Sequence, residues 1–204
     1  MDNSTGIVAI LDILGYKSFL ENNDAGEAVA EVLDVLNNAK SNTRNMAFAP
    51  LAKTEDSKKE MERIFENIQW LVFADTILLA RAYPQETNKE NKLECWGSVC
   101  YAARFLYSHL FAWDLPVRGA VAFGRFLIKE HCFAGYAIAE ARKCLETLDL
   151  AALALAASAE EEFLNFGTSE PEVWSKNKYV LPLKDGNVRE SIVLLPSCSV
   201  QSLF

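Results

Sequence analysis

The sequence predicts an α+β fold: a mostly antiparallel sheet of ferredoxin-like or palm-like order, with helices packed on one face. Three observations lead there. A short apolar, β-branched run at 7–13 opens the chain, and two more apolar runs at 66–74 and 76–82 meet at Ala74-Asp75. A long amphipathic stretch at 91–112 then separates that pair from further strand-like segments.

Taken in order, residues 7–13 read as a strand buried on both faces, because apolar residues follow one another without alternation. Gly15 turns the chain into a helical region in which Phe19, Ala28, Val29, Val32, Leu33 and Leu36 recur at helical spacing, with a break suggested at Asn22-Asn23-Asp24. Residues 39–62 are polar, and Lys53 to Arg63 form a mixed-sign charge run. This is expected to be an insertion, either a solvated loop or a short exposed helix.

The strands at 66–74 and 76–82 form a tight hairpin, closed off by Pro84 and the polar residues after it. Leu93, Trp96, Val99, Cys100, Ala103, Leu106, Tyr107 and Leu110 mark the buried face of the helix at 91–112, which Asp114-Leu115-Pro116 ends. Strands at 117–123 and 125–133 are expected to flank Gly124 as a second hairpin, and Gly135 to open a helix through about residue 147. A short strand near 151–156 follows. Ser158 and Glu161 then match a capping box that would start a helix to Asn165. The last unit is a hairpin, 178–183 and 191–195, around Asp185-Gly186-Asn187. No internal repeat or linker interrupts the order, so residues 1–204 are expected to form one domain.

Composition narrows the function. At 204 residues, half of them hydrophobic, the chain can bury a substantial core. A net charge of −8 argues against nonspecific nucleic-acid or anionic-membrane binding, which needs a cationic face. It leaves room for a phosphate ligand held by a local cluster of arginines with a divalent ion. The first residues lack a basic signal-peptide region, and no apolar stretch reaches the roughly 20 residues of a membrane span. Five cysteines, none in a Cys-x-x-Cys pair, read as reduced cytoplasmic thiols. Two histidines, His109 and His131, are too few for a His-built zinc site, and His109 within an apolar helix reads as a packed or surface-tipped side chain.

Two aspartates carry the chemistry. Asp12 ends the first buried strand and Asp75 sits at the first hairpin turn. A carboxylate inside an apolar run costs several kcal/mol, roughly, unless a partner or a metal compensates it. In the predicted sheet the first strand lies beside the hairpin, so the two carboxylates converge, the arrangement that holds Mg²⁺ against phosphates. Taken singly, each has an ordinary alternative as a turn residue or helix N-cap.

Four stretches, in this order, resemble the class III nucleotidyl cyclase catalytic domain. Asp12-Ile13-Leu14-Gly15-Tyr16 is similar to the family's Asp-Ile-x-Gly-Phe metal segment, and Phe73-Ala74-Asp75 to its Gly-Asp turn. Arg118-Gly119 through Gly124 is similar to its Arg-x-Gly-x-x-x-Gly strand. Gly135 through Lys143 is similar to the helix that opens Gly-x-x-Val-Asn-x-Ala-x-Arg. The resemblance spans about residues 7–147. It implies two divalent ions, Mg²⁺ or Mn²⁺, held by Asp12, Asp75 and the backbone carbonyl of Ile13. It also implies a nucleoside triphosphate substrate, phosphate contacts from the backbone around Gly15, Tyr16 and Lys17 and from Arg118, and a head-to-tail homodimer with composite sites. Arg118 has a plain alternative as a sheet-edge arginine, and Lys17 as a solvated one.

Departures from the family pattern bear on the substrate. Leu71 stands where adenylyl cyclases carry an adenine-reading lysine, and Cys132 where they carry its aspartate partner. Neither reads adenine by hydrogen bonding. Ala139 replaces the ribose-orienting asparagine, and Lys143, with Arg142 adjacent, replaces the transition-state arginine. These features look most like the pyrimidine cyclases of bacterial antiphage defence (Pycsar systems), which implies UTP or CTP cyclised to cUMP or cCMP and a separate effector that senses the product. Rival expectations are a catalytically silent cyclase-like module, another palm-type enzyme, which here lacks the Gly-Gly-Asp/Glu-Phe hairpin, and a structural interaction protein. A GTPase is disfavoured by the missing Gly-x-x-x-x-Gly-Lys-Ser/Thr loop.

Overall fold

The computed structural model describes residues 4–23, 26–84, 88–129, 132–165 and 178–194. The apolar run at the start forms β1 (Ser4–Ile13), buried along almost its whole length. It is the centre of the sheet. On one side it pairs with β3 (Thr76–Ala82) and on the other with β4 (Val117–Lys129), both antiparallel. β2 (Gln69–Phe73) forms the outer edge beside β3. β5 (Cys132–Gly135) and the short parallel strand β6 (Leu153–Leu155) pair with β4 on its other flank. Read as β4-β1-β3-β2, the core is the ferredoxin-like order expected from the sequence. Strand β1 is buried on both faces because both faces are covered.

The first face packs on α5 (Lys89–Ala112), whose Trp96, Val99, Ala103 and Leu106 meet Ile7, Ala9 and Leu11 in one buried cluster. The opposite face is covered by α6 (Tyr136–Thr147), where Ala137, Ile138, Ala141 and Leu145 meet Val8, Ile10 and Leu78. Helices therefore lie on both faces, not one. Alternation of side chains along β1 explains this, since its even-numbered residues are as apolar as its odd ones and need a cover of their own.

Several boundaries differ from the sequence reading. The helical region after Gly15 breaks in two, as its Asn22-Asn23 stretch suggested, into α1 (Tyr16–Asn22) and α2 (Glu27–Asn37), but Ala28 and Leu33 face solvent while Val32, Val35 and Leu36 are buried. Residues 39–62 are not a solvated loop. They run through α3 (Ala39–Asn42), a π-helical turn Thr43–Phe48 and a 3₁₀ turn Ala49–Leu51 into α4 (Glu55–Glu66). Phe48 stacks edge-on against Phe65 and Tyr101 at 5.2 and 5.3 Å, so the apolar minority of this segment is anchored to the core while its charges face outward. A capping box at Thr54 and Ser57 starts α4.

The expected hairpin at Gly124 is absent. β4 runs unbroken for 13 residues, with Gly124 opposite Gly6 of β1, and the chain reverses only after Lys129. Ser158 and Glu161 do not form a capping box either. The hydroxyl of Ser158 accepts from the Phe123 amide and donates to Glu140 of α6. Glu140 also accepts the Ser158 amide at 3.1 Å, so a neighbouring helix caps α7 (Ala157–Leu164). The final hairpin is β7 (Lys178–Pro182) and β8 (Val188–Ile192), a separate two-stranded sheet turning at Gly186. Leu195 and His131 lie outside the described residues.

Candidate active site

The two aspartates come together by register. Asp12 lies opposite Thr76 on β3 and opposite Arg118 on β4. Asp75 forms the two-residue turn between β2 and β3 with Ala74, whose backbone is left-handed at φ 51°. The amide of Ile13 donates to the carbonyl of Asp75 at 3.2 Å, tying the end of β1 to the turn. Asp12 is buried, at 5% exposed, whereas Asp75 is half-buried. The proximity of the two carboxylates has an electrostatic signature: burial, and then the charge of Asp12, push the Asp75 carboxyl above its ordinary value.

Counter-charge arrives from two arginines. Arg118 reaches one oxygen of Asp12, Oδ2, at 3.0 Å through Nη2 and 3.3 Å through Nε. The other oxygen, Oδ1, accepts the Thr76 hydroxyl at 3.2 Å and lies 3.8 Å from Nη1 of Arg142. Arg142 also donates to Thr76 Oγ1 at 3.4 Å and is tethered one helical turn on to Glu146 at 2.6 Å. Hydrogen bonding to Glu146 and the charges of Asp12 and Asp75 hold its guanidinium firmly protonated.

Beside the carboxylates lies a cavity of about 550 Å³ between the β2–β3 hairpin and α6. Ile10, Leu71, Leu78 and Ile138 form its apolar wall, and Asp75, Thr76 and Arg142 its polar end. That size and lining suit a small organic ligand with an anionic end. Two exposed aromatic side chains, Phe73 and Phe133, also line the cavity.

The remaining expected residues divide. Leu71 and Ala139 line the cavity. Cys132 does not: it is exposed on β5, and the residues after it, Phe133, Ala134 and Gly135, line the cavity instead. Gly15 supplies the left-handed residue, φ 75°, that links β1 to α1. Tyr16 is half-buried and stacked on Phe19 at 6.2 Å, and Lys17 points to water with Glu21 at 3.6 Å, so neither reaches the cavity within the protomer. Lys143 is also remote from the carboxylates. It lines a second cavity of about 520 Å³ with Glu140, Cys144 and Arg189. Adjacent helical residues lie about 100° apart, so only one of Arg142 and Lys143 faces Asp12, and it is Arg142.

Thr76 is the site residue that sequence reasoning passed over, and Arg142 it named only as the neighbour of Lys143. Thr76 was legible as the residue opposite Asp12 once the hairpin was placed. Arg142 was not, because choosing it over Lys143 requires the rotation of α6 on the sheet. Gly135, by contrast, is strictly required: at φ 139° any Cβ would fall 2.5 Å from the carbonyl oxygen of Arg125.

Among the described residues no three His, Cys, Asp or Glu side chains come together. The pair of carboxylates fits a hard divalent ion that takes its other ligands from backbone carbonyls, water and a phosphate ligand. His109 is excluded from such a role, being stacked on Phe105 at 5.3 Å and paired with Asn42.

No family model and no curated protein matches the chain. Solved structures do. The catalytic core of a rhodopsin-guanylyl cyclase with converted specificity, in complex with ATPalphaS, superposes with a TM-score of 0.59 at 9% identity, covering 96% of this chain and 97% of that one. The monomeric guanylyl cyclase domain of the RhoGC fusion protein from Blastocladiella emersonii gives 0.55 at 12% identity over 80% and 86%. The adenylyl cyclase CyaB from P. aeruginosa gives 0.51 at 12% identity over 100% and 98%. The fold is that of the class III nucleotidyl cyclase catalytic domain. At these identities the class III likeness establishes the architecture, and the chemistry rests on the side chains above. Among the described residues no helix is long and apolar enough to cross a membrane.

Proposed function

We propose that the chain is a nucleotide cyclase that converts a pyrimidine nucleoside triphosphate, UTP or CTP, to the 3′,5′-cyclic monophosphate with release of pyrophosphate. One observation carries the reading: in a class III cyclase fold, Asp12 lies opposite Thr76 and within electrostatic reach of Asp75, and Asp75 and Thr76 line the polar end of a ligand-sized cavity.

Asp12, Asp75 and the carbonyl of Ile13 would hold two divalent ions, Mg²⁺ or Mn²⁺. Bound there, such ions lower the pKa of the ribose 3′-hydroxyl and offset charge on the departing pyrophosphate. The chain's own part is positioning. β1 and the β2–β3 turn fix the carboxylates, and the apolar wall of Leu71, Leu78 and Ile138 excludes water from the nucleoside. Arg118 pairs with Asp12 in its buried position, and the donors left over from that pair are available to a phosphate. The 3′ oxygen attacks the α-phosphorus directly, so no protein nucleophile is required.

Pyrimidine choice is supported by the wall itself. Leu71, on the strand where adenylyl cyclases read adenine, offers no hydrogen bond, and the cavity is mostly apolar. Lys143 points away from Asp12 in its own protomer, which suits a head-to-tail homodimer in which Lys143 of the partner subunit completes the site. The exposed aromatic side chains Phe73 and Phe133 at the cavity are a natural seat for that partner. On this reading the product is a second messenger of antiviral defence, acting in the cytoplasm on a separate effector.

Incubation with the four nucleoside triphosphates and Mn²⁺ tests the proposal: cUMP or cCMP and pyrophosphate are expected, and product from neither pyrimidine overturns it. The second reading is a silent cyclase-like module that binds a nucleotide without turnover. Ala139, which has no polar group at the ribose position, favours it. Tight nucleotide binding with no pyrophosphate release would select it.

A further inference from the structure

Asp12 has two oxygens and two arginines, and the geometry treats them differently. Oδ2 is held by the fork of Arg118, a side chain only 14% exposed that is fixed between strands. Oδ1 faces Nη1 of Arg142 at 3.8 Å, and Arg142 is 44% exposed, on a helix surface, with its Nε already held by Glu146 at 2.6 Å. One guanidinium is locked. The other can leave without breaking the sheet, because Glu146 and water receive it.

Oδ1 is the oxygen of Asp12 that a divalent ion could take, since the fork of Arg118 covers Oδ2 while Oδ1 accepts only the neutral Thr76 hydroxyl at 3.2 Å besides facing Arg142. A guanidinium and a divalent ion cannot share that position: both need the same lone pairs, and their charges repel. We infer that Arg142 is an exchangeable counter-ion of the carboxylate pair, lying against Asp12 Oδ1 until a divalent ion displaces it toward Glu146. The inference rests on the proposed metal role of Asp12 and Asp75 and gives Arg142 a role that the resemblance does not assign. It has two consequences. A tethered cation weakens divalent binding to the isolated pair, so the site fills in earnest only when a triphosphate brings its own negative charge. The same cation lowers the electrostatic cost of keeping two carboxylates together.

Mn²⁺ binding without nucleotide reads this directly, by the loss of the free-ion paramagnetic signal on titration into the intact protein. Arg142→Ala should bind Mn²⁺ about tenfold more tightly than the parent chain, and Arg142→Lys should fall between them. Melting curves give a second readout: Arg142→Ala should melt lower than the parent in chelator and gain more from Mn²⁺. Equal affinity in parent and Arg142→Ala, or weaker binding in the variant, overturns the counter-ion role while leaving the metal reading intact. An Asp12→Asn variant separates the two claims. If it binds Mn²⁺ as the parent does, or if neither the parent nor Arg142→Ala binds at all, the carboxylate pair is not a metal site and both inferences fall.

Discussion

Asp12 and Arg118 face each other across the β1–β4 ladder, and the guanidinium closes on Asp12 Oδ2 at 3.0 Å. Both side chains are largely buried, so each is the other's main compensation for leaving water. Removing one partner strands the other. Arg118→Ala is therefore expected to destabilise the protein by about 3 kcal/mol, and the double variant with Asp12→Asn should recover much of that loss. Urea unfolding of the three variants measures the coupling. Additive losses would make the pair energetically independent.

Asp75 should behave differently from Asp12. Its carboxyl is held above its usual value by burial and by the charge of Asp12, so its ionised form is a burden on the folded chain. Asp75→Asn is expected to fold with unchanged or higher stability at neutral pH, yet to lose cyclisation by about 100-fold or more, as does Asp12→Asn. Product formation with Mn²⁺, set beside a melting curve, separates the two effects. Retained turnover in either variant contradicts the assignment.

Ala74 occupies a left-handed turn conformation that favours glycine. Ala74→Gly should relieve about 1 kcal/mol of local strain and give back part of it through the more flexible unfolded chain. A small rise in melting temperature is expected, with no change in the register of β2 on β3 by amide exchange.

His109 gives a pH dependence with a definite sign. Burial lowers its pKa from 6.5, so below that pH the unfolded chain takes up the proton more readily than the folded one. Its contribution to stability is complete above about pH 6.5 and is lost as the pH falls, with a slope of at most about 1.4 kcal/mol per pH unit. His109→Phe, which keeps the stack on Phe105, should remove that component of the acid loss. Unfolding free energies at pH 7 and pH 5 provide the comparison.

How much of this could be read from the residues depended on range. Asp12 stood out because a carboxylate in an unbroken apolar run demands an explanation, and Asp75 because a hairpin turn placed it beside that strand. The order of β1, β2, β3 and β4 followed from runs and breaks alone. Gly124 misled because glycine marks a turn or a strand with equal ease. Here ten residues of β1 pair straight past it and hold β4 extended. Ser158 misled because Glu140, distant in sequence, supplied the cap that a local Glu161 was expected to share. The segment 39–62 misled because its charges outnumber Ala47 and Phe48, though those two decide where it packs.

The site's two acidic arms hang from very different parts of the sheet. Asp12 belongs to the central strand, bonded along both edges, whereas Asp75 closes a hairpin whose outer strand β2 pairs, among the described residues, on one edge only. Fraying of that edge would carry Asp75 away while the rest of the molecule stayed folded. Heat should accordingly silence the site some degrees before the protein melts, and a partner that clamps β2 would extend its working range.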